Sequence, residues 1–252
     1  MRWFRADLHV HSVLSPCASL EMSPRRIVQE ARRADLDLIA VCDHNAGANG
    51  FYARRLADGR PVVLVGMEVQ SQEEVEVLTW FEDPGACARL ARELADHLPA
   101  VPCRPHLFGD QLVVDEHDEI VARVDRLLLS PLDLPLDEVV RRAERCGGVA
   151  VPAHVDRVPG GLLAVLGFLP EGPWPQAVEI SPWTRLSRAR SQFPQLRGLP
   201  TFRSSDAHVP QDVGRAWTKL RLRAPTLDEL VAALEGRGER AVCPGPAIEE
   251  GL

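Results

Sequence analysis

The sequence lacks the features that mark membrane, exported or disulfide-linked proteins. No apolar run in its 252 residues approaches the roughly 18 residues of a membrane span. Met1 leads directly into RWFRADLHV, without an apolar leader segment. The six cysteines are scattered and form no CxxC pair, which is typical of free thiols in a reducing compartment. We therefore expect a cytoplasmic protein with no membrane partner, and the sequence leaves its oligomeric state open.

Lysine is also scarce in this sequence. Lys219 is the only lysine, and the formal net charge is -7. An acidic chain of this kind argues against broad non-specific binding of nucleic acid. The chain contains neither a GxSxG motif nor a Walker loop, which argues against a serine nucleophile elbow and a P-loop nucleotide site.

Strand-length apolar runs alternate with helix-like segments along the chain. After a first strand that ends in HVH, the predicted strands are Asp37–Cys42, Pro61–Met67, Val75–Phe81, Gly148–Ala153, Ala177–Ile180 and Leu199–Ser205. Several of these runs lack polar alternation, as strands buried on both faces do. The alternation predicts a parallel α/β fold, either open or closed into a barrel.

Capping signals frame the predicted helices. Ser23 and Pro24 open one helix, and Thr226 and Gly236 bound another. Between them lie two further helical segments, GACARLARELADHL and PLDEVVRRAERC.

Two segments interrupt this pattern. Residues 109–123 predict a surface hairpin around an acidic turn, and residues 243–252 predict a loose tail rich in proline and glycine. The chain contains no internal repeat and no dividing linker, so we expect residues 1–252 to form a single domain.

Polar side chains fall where the apolar runs stop. In a strand, residues i and i+2 share a face, so His9 and His11 point the same way, with Asp7 on the same side. The other strand ends carry Asp43, His44, Glu68, His154, Asp206 and His208. Strand carboxyl ends of a parallel α/β fold meet at one rim, and burying so many carboxylates and imidazoles there requires cations to pair them. The pattern predicts a metal cluster.

The ordered set HxH, CDHN, a strand-end glutamate, PAH and SSDAH, from Asp7 to His208, resembles the PHP (polymerase and histidinol phosphatase) family of metal-dependent phosphoesterases. The resemblance implies an α/β fold, a distorted seven-stranded (βα)7 TIM-like barrel with the metal site at the strand C-termini. It also implies two or three divalent metal ions, for which Mn, Zn and Fe are the candidates.

The resemblance assigns the ligands as follows. His9, His11, Glu68 and Asp206 hold the first metal. Glu68 bridges to a second metal, which His154 also binds, and His44 and His208 contribute to a third. Among these residues, Glu68, Asp206 and His208 are the predicted catalytic groups.

Two positions depart from the family pattern. Glu76 stands where the family generally has a histidine: either it is an anionic ligand of the second metal, favouring Mn²⁺ or Fe, or it is an outward strand residue. Cys17 lies near the position of a third-metal ligand: either its thiolate binds, favouring Zn²⁺, or it is a small turn residue.

Residues around the cluster receive supporting roles. Asp7 and Asp43 are expected to orient neighbouring imidazoles. Arg157 and Arg203 are candidates to grip a substrate phosphate, because a guanidinium matches phosphate oxygens bidentately. Both are open to the alternative reading of ordinary surface arginines in an arginine-rich chain.

The chemistry that requires such a cluster is hydrolysis of a phosphate ester by a metal-bridging hydroxide. We expect a phosphatase acting on a small phosphomonoester. The alternatives are a phosphodiesterase or 5′-3′ exonuclease on short nucleic acid, and a non-catalytic metal-binding module. The segment SPWTRLSRARSQF (181–193) interleaves arginine with aromatics, as strand-binding surfaces do, although its spacing favours an ordinary amphipathic helix.

Overall fold

Eleven strands and eight α-helices make up the part of the chain that the computed structural model describes, residues 1–171 and 174–248. The strands are β1 (Arg2–Val10), β2 (Leu38–His44), β3 (Val62–Gln70), β4 (Glu76–Phe81), β5 (Leu112–Val114), β6 (Ile120–Arg123), β7 (Val149–Pro152), β8 (Val178–Glu179), β9 (Thr201–Phe202), β10 (Thr218–Leu222) and β11 (Ala241–Pro244). The helices are α1 (Pro24–Arg33), α2 (Ala48–Ala57), α3 (Pro84–Ala95), α4 (Pro105–Phe108), α5 (Leu136–Arg145), α6 (Leu162–Leu166), α7 (Leu186–Gln192) and α8 (Leu227–Leu234).

The main sheet has seven strands in the order β11-β10-β1-β2-β3-β4-β7. β1, β2 and β3 are parallel neighbours, but β4 runs antiparallel to both β3 and β7, and β10 runs antiparallel to β1. The closed (βα)7 barrel expected from the family resemblance is therefore not confirmed, because this sheet is curled, open and mixed. The α/β class is confirmed.

β8 and β9 form a separate parallel pair beside the open side of the sheet. The Val155 amide donates to the Glu179 carbonyl at 2.9 Å, which ties the end of β7 to β8. The His11 amide donates to the Ala207 carbonyl at 3.0 Å, which ties the end of β1 to the chain after β9. These bonds gather the ends of β1, β7, β8 and β9 at one rim.

The concave face of the curled sheet holds an apolar core around Trp80. Side chains from β1, β2, β3, β4, β7 and β10 meet there with Phe202 of β9. The Trp80 indole N–H donates to the Leu8 carbonyl at 3.0 Å, so the one polar atom of this large buried side chain has a partner. The Phe202 ring packs edge-on against the Trp80 ring, with the two ring centroids 5.5 Å apart.

The predicted helix caps are confirmed at both ends of the chain. The Ser23 hydroxyl accepts from the Arg26 amide ahead of α1, and Pro24 occupies the first turn. The Thr226 hydroxyl accepts from the Glu229 amide ahead of α8, and Gly236 follows that helix with a positive φ of 67°.

The two irregular segments have different outcomes. β5 and β6 pair antiparallel, so a hairpin lies within residues 109–123. Cys243 and Pro244 end β11, which pairs with β10, so the predicted loose tail does not begin at residue 243; residues 249–252 lie outside the described residues. Among residues 1–171 and 174–248, none of the helices combines the length and apolar content of a membrane span.

Candidate metal centre

The strand ends converge on one buried cluster of imidazoles and carboxylates. It contains every ligand predicted from the sequence except Cys17, in four overlapping groups of three whose ligand atoms lie within 4.8 Å of one another. The groups are His11–His44–His208, His9–His11–Asp206, His9–Glu68–His154 and His44–Glu68–Glu76. His9, His11 and His154 are fully buried.

The two histidines of the HxH motif face each other through their Nε2 atoms, 3.0 Å apart. His9 Nδ1 lies 3.0 Å from a carboxylate oxygen of Glu179, which accepts only, so the proton belongs on Nδ1. Ser15 donates its hydroxyl proton to Asp43, so its oxygen accepts from His11 Nδ1 at 2.9 Å. Each Nε2 is thus left with a lone pair. In the neutral rings these lone pairs repel at this distance, so either a metal ion lies between them or, without metal, a ring carries a second proton.

Glu68 and Asp206 place unpartnered oxygens beside these nitrogens. Glu68 Oε2 and Asp206 Oδ1 are buried without a hydrogen bond. They lie 3.3 and 3.2 Å from His11 Nε2. The other Glu68 oxygen is 2.9 Å from His154 Nε2, so this carboxylate spans the centre of the cluster. Buried carboxylate oxygens without donors are costly and are normally satisfied by a cation.

Glu76 points into the cluster because β4 is antiparallel to β3. Gln70 at the end of β3 pairs with Glu76 at the start of β4, so Glu76 returns to the rim that Glu68 occupies. Its Oε2 lies 3.4 Å from His154 Nε2. Gly160 approaches so closely that a Cβ there would meet Glu76 Oε2 at 1.8 Å. The outward-facing reading of Glu76 is therefore wrong.

His44 and His208 form the more open side of the cluster with His11. The His11 and His208 rings stack with centroids 4.2 Å apart, and His44 Nδ1 lies 3.2 Å from Glu68 Oε2. His208 Nδ1 lies 2.7 Å from the Asp206 carbonyl, which accepts its proton and leaves Nε2 free to bind. The His208 side chain is 29% exposed, so this side opens to solvent.

The electrostatics of the cluster call for positive charge. Burial would raise the pKa of Glu68, but the positive charge of His9 outweighs it and holds that pKa well below its ordinary value. Burial would lower the pKa of His11, but the adjacent carboxylates of Asp206 and Glu68 raise it to about 9. When no metal is bound, protons on His9, His11 and His154, whose pKa values are raised, therefore balance the carboxylates, and a metal must displace them. Burial lowers the pKa of His44 to about 3 and that of His208 to about 4, so these two imidazoles stay neutral.

Of the two arginines proposed to grip phosphate, the structure brings only Arg157 to the cluster. Its guanidinium pairs with Asp206 Oδ2 and lies 3.4 Å from Glu76 Oε2. Arg203 is buried and donates to the backbone carbonyls of Ser181, Thr184 and Gly245. Its donors are used to hold loops, so the surface reading and the phosphate-binding reading both fail for Arg203.

Cys17 and the two predicted supporting aspartates have different outcomes. The Cys17 side chain is exposed and joins none of the ligand groups found among the described residues. Asp7 accepts from the amides of Ser205 and Gly214, at 2.9 and 2.8 Å. It therefore fixes the backbone beside Asp206 rather than an imidazole. Asp43 acts on His11 only through Ser15.

Glu179 is a functional residue that the sequence reasoning missed. It is buried, and its Oε2 lies 3.0 Å from His9 Nδ1 and accepts from the His154 amide at 3.1 Å. One carboxylate thus orients ligands from β1 and β7. The available signal was a glutamate inside the apolar run AVEI, where an unpaired charge has no place.

The donor set fits divalent metal ions. Imidazole nitrogens and carboxylate oxygens converge, two oxygens lack any other partner, and at least two imidazoles, His9 and His208, are held with a free Nε2. Nitrogen and oxygen ligands of this kind suit Mn, Fe and Zn.

Comparisons with known proteins agree with this geometry. Residues 188–237 match the model of a family described as PHP-associated. A sequence comparison with curated proteins finds no match.

Solved structures share the fold. The lesion-specific endonuclease PfuEndoQ of Pyrococcus furiosus aligns with 96% of this chain at 17% identity and a TM-score of 0.69; this chain spans only 58% of its length. Endonuclease Q in complex with a 27-mer duplex carrying an abasic lesion aligns with 95% of the chain and 58% of its own, at 17% identity and a TM-score of 0.67.

A protein of Bifidobacterium adolescentis assigned as a metal-dependent phosphoesterase aligns with 81% of this chain and 87% of its own, at 18% identity and a TM-score of 0.50. At these identities the likenesses establish the fold. The matched segment at residues 188–237 is similar to the PHP-associated family, and the ordered motifs from His9 to His208 agree with that similarity.

Proposed function

We propose that this chain hydrolyses phosphate esters with bound divalent metal ions, and that its substrate is a small phosphomonoester. The observation that carries the proposal is the facing pair of Nε2 atoms of His9 and His11, 3.0 Å apart, beside the unpartnered oxygens of Glu68 and Asp206. This arrangement is costly without cations and ordinary with them.

Divalent ions at such a cluster supply a water of lowered pKa and absorb negative charge on phosphate oxygens. The side chains proposed to hold them are His9, His11, His44, Glu68, Glu76, His154, Asp206 and His208. Glu179 keeps His9 in the tautomer that can bind, and Ser15 does the same for His11. No nucleophilic side chain is needed for this chemistry.

Arg157 is proposed to bind the phosphate of the substrate. Its side chain is 35% exposed while its guanidinium touches Asp206 and Glu76, so it reaches both the cluster and solvent. Arg157→Ala should raise KM for a phosphomonoester and leave the bound metal content unchanged. An unchanged KM would remove Arg157 from the phosphate site.

A phosphodiesterase or nuclease is the second candidate. This chain shares its fold with 58% of the length of endonuclease Q, whose substrate is a duplex with an abasic lesion. In this chain, the segment from residue 180 to 205 contains five arginines and no aspartate or glutamate, within a protein of net charge -7. Four of the five, Arg185, Arg188, Arg190 and Arg197, are exposed or half-buried, and the fifth, Arg203, is buried. Such a local excess of cations favours a polyanionic substrate.

The deciding experiment measures product release from parallel panels of phosphomonoesters and phosphodiesters with Mn²⁺, Fe²⁺ or Zn²⁺ supplied, using Asp206→Ala as the inactive control. Activity on monoesters that this substitution abolishes supports the proposal. Activity on diesters or oligonucleotides alone favours the nuclease. Silence on both panels from protein that has bound metal would leave a non-catalytic metal-binding module.

A further inference from the structure

Trp183 is a large exposed aromatic side chain on the loop between β8 and α7. Its side chain is 49% exposed, although tryptophan is normally buried in a protein of this size. An exposed, flat indole offers a face for stacking another ring.

The loop that carries Trp183 is held on both sides of the indole. Before it, the Ser181 amide donates to Asp156 Oδ1 at 2.8 Å. After it, the buried Arg203 donates to the Thr184 carbonyl, and its Nε donates to the Ser181 carbonyl at 3.4 Å. Burying an arginine to satisfy loop carbonyls is expensive. The bonds present the indole in a fixed position.

The position is next to the metal centre. Glu179, which hydrogen-bonds His9, precedes Trp183 by four residues, and four residues span at most about 14 Å. Asp156, which holds the loop, directly precedes Arg157. Trp183 therefore lies within about 14 Å of Glu179, on a loop that is hydrogen-bonded to the residue before Arg157.

The surroundings of Trp183 are cationic. The guanidinium carbon of Arg215, on the loop that follows His208, lies 5.7 Å from the centroid of the Trp183 ring, and the same guanidinium pairs with Asp212 at 2.6 Å. Arg185 and Arg188 follow within five residues and are exposed. A stacking surface bordered by cations is the combination that binds bases joined to phosphate.

We propose that Trp183 is the stacking surface for a nucleobase attached to the phosphate ester. This inference rests on the proposed function for its catalytic consequence but not for its binding consequence. The ligand is a nucleobase joined to phosphate, and its two sources are a free nucleotide and the end of a single strand.

The binding test uses Trp183→Ala, with Trp183→Phe as the conservative variant and Trp3→Ala as the matched control. Trp3 is 50% exposed, at the far end of β1 from His9, about 20 Å along the strand. Affinity is measured for thymidine monophosphate, for a short thymidine oligonucleotide, and for a strand of the same length built from abasic units.

Trp183→Ala should weaken binding of the base-containing ligands roughly 5- to 150-fold, the range given by loss of stacking on one aromatic side chain. Trp183→Phe should restore most of the affinity, and Trp3→Ala should match the parent protein. The abasic strand should bind the parent and Trp183→Ala equally. The ligand that shows the larger loss identifies the source, nucleotide or strand.

Two results would overturn the inference: equal affinity of the parent and Trp183→Ala for both base-containing ligands, or an equal loss for the abasic strand. In hydrolysis, Trp183→Ala should raise KM for a nucleoside monophosphate and leave KM for ribose 5-phosphate unchanged. If Trp183→Ala hydrolyses the nucleoside monophosphate as the parent does, the proposed function stands and the stacking inference is refuted. If binding depends on Trp183 but no hydrolysis is found, the stacking inference stands and the proposed function is refuted.

Discussion

Two sets of buried charged side chains lie side by side and differ in how their hydrogen bonds are filled. Asp7, Asp43 and Arg203 are surrounded by partners: backbone amides and hydroxyls for the aspartates, and backbone carbonyls for the arginine. Glu68 and Asp206 each keep an oxygen with no hydrogen bond, facing imidazole nitrogens. The hydrogen bonds of the first set are all supplied by the protein, whereas those of the second set are not.

This difference separates structural charge from functional charge. A buried charge costs several kcal/mol unless its partners are supplied. Where the fold itself supplies them, the charge holds loops and strands together. Where the fold supplies none, the partner must come from outside, and here the ligand chemistry specifies a cation. Substitutions in the two sets should therefore fail in different ways.

The largest effect is expected from Glu68→Gln, which should weaken metal binding more than about 100-fold, since loss of even a supporting residue costs 10- to 100-fold. The metal-free variant should lose little stability, because the imidazoles that face Glu68 can release the protons that balanced its charge. Titration calorimetry with Mn²⁺ and urea unfolding measure the two effects. The exposed Glu74→Gln serves as control. Unchanged metal affinity would break the comparison.

Asp43→Ala, in contrast to Glu68→Gln, should destabilise the metal-free protein. Asp43 accepts from the Ser12 amide, the Ser12 hydroxyl and the Ser15 hydroxyl at 2.6–2.7 Å, and removing it leaves these donors buried. The free energy of unfolding should fall by about 2–4 kcal/mol. Urea unfolding with chelator present measures it, against the exposed Asp96→Ala. A loss no greater than the control would place Asp43 in the same class as Glu68.

Glu179→Gln should produce an intermediate effect, because Glu179 shares a feature with each set: one of its oxygens has partners and the other has none. It supports His9 and His154 through Oε2, and its Oε1 is buried without a partner. The neutral amide should lower metal affinity about 10- to 100-fold, less than Glu68→Gln. Calorimetry of the two variants in one buffer decides the order. A loss as large as that of Glu68→Gln would indicate direct metal binding by Glu179.

The smallest effect is expected at a surface pair outside both sets. The hydrogen bond from Arg240 lowers the pKa of Glu229 to about 2, from an ordinary 4.5. Its contribution to stability is thus complete above about pH 4.5 and is lost as the pH falls towards 2. Glu229→Gln should unfold more readily than the parent at pH 6, and the gap should close across that acid range. Urea midpoints against pH test this, with the exposed Glu21→Gln as control. A gap independent of pH would refute it.

Much of the site follows from the sequence because strand ends are local features. Side chains that follow apolar runs in a parallel α/β protein must meet at one rim, and His9, His11, His44, His154 and Asp206 do so. Helix ends are equally local, and the caps at Ser23 and Thr226 agree with their prediction.

Other features depended on contacts between distant parts of the chain. The direction of β4 placed Glu76 in the cluster, and no periodicity records strand direction. The destination of a long side chain is equally non-local: Arg157 and Arg203 both lie near strand ends, but one reaches the cluster and the other holds loops. Glu179 acquired its role only from a strand 170 residues away.

The sequence by itself determined the α/β class, the strand ends that carry polar side chains, and a donor set that fits divalent metal ions, because each depends on residue type and short spacing. The tertiary structure alone decided that the sheet stays open and mixed, that Glu76 joins the cluster while Cys17 does not, and which buried charges are left without partners. The physical reason is that partners for a buried charge come from segments far apart in sequence, and only the packed chain shows whether they arrive.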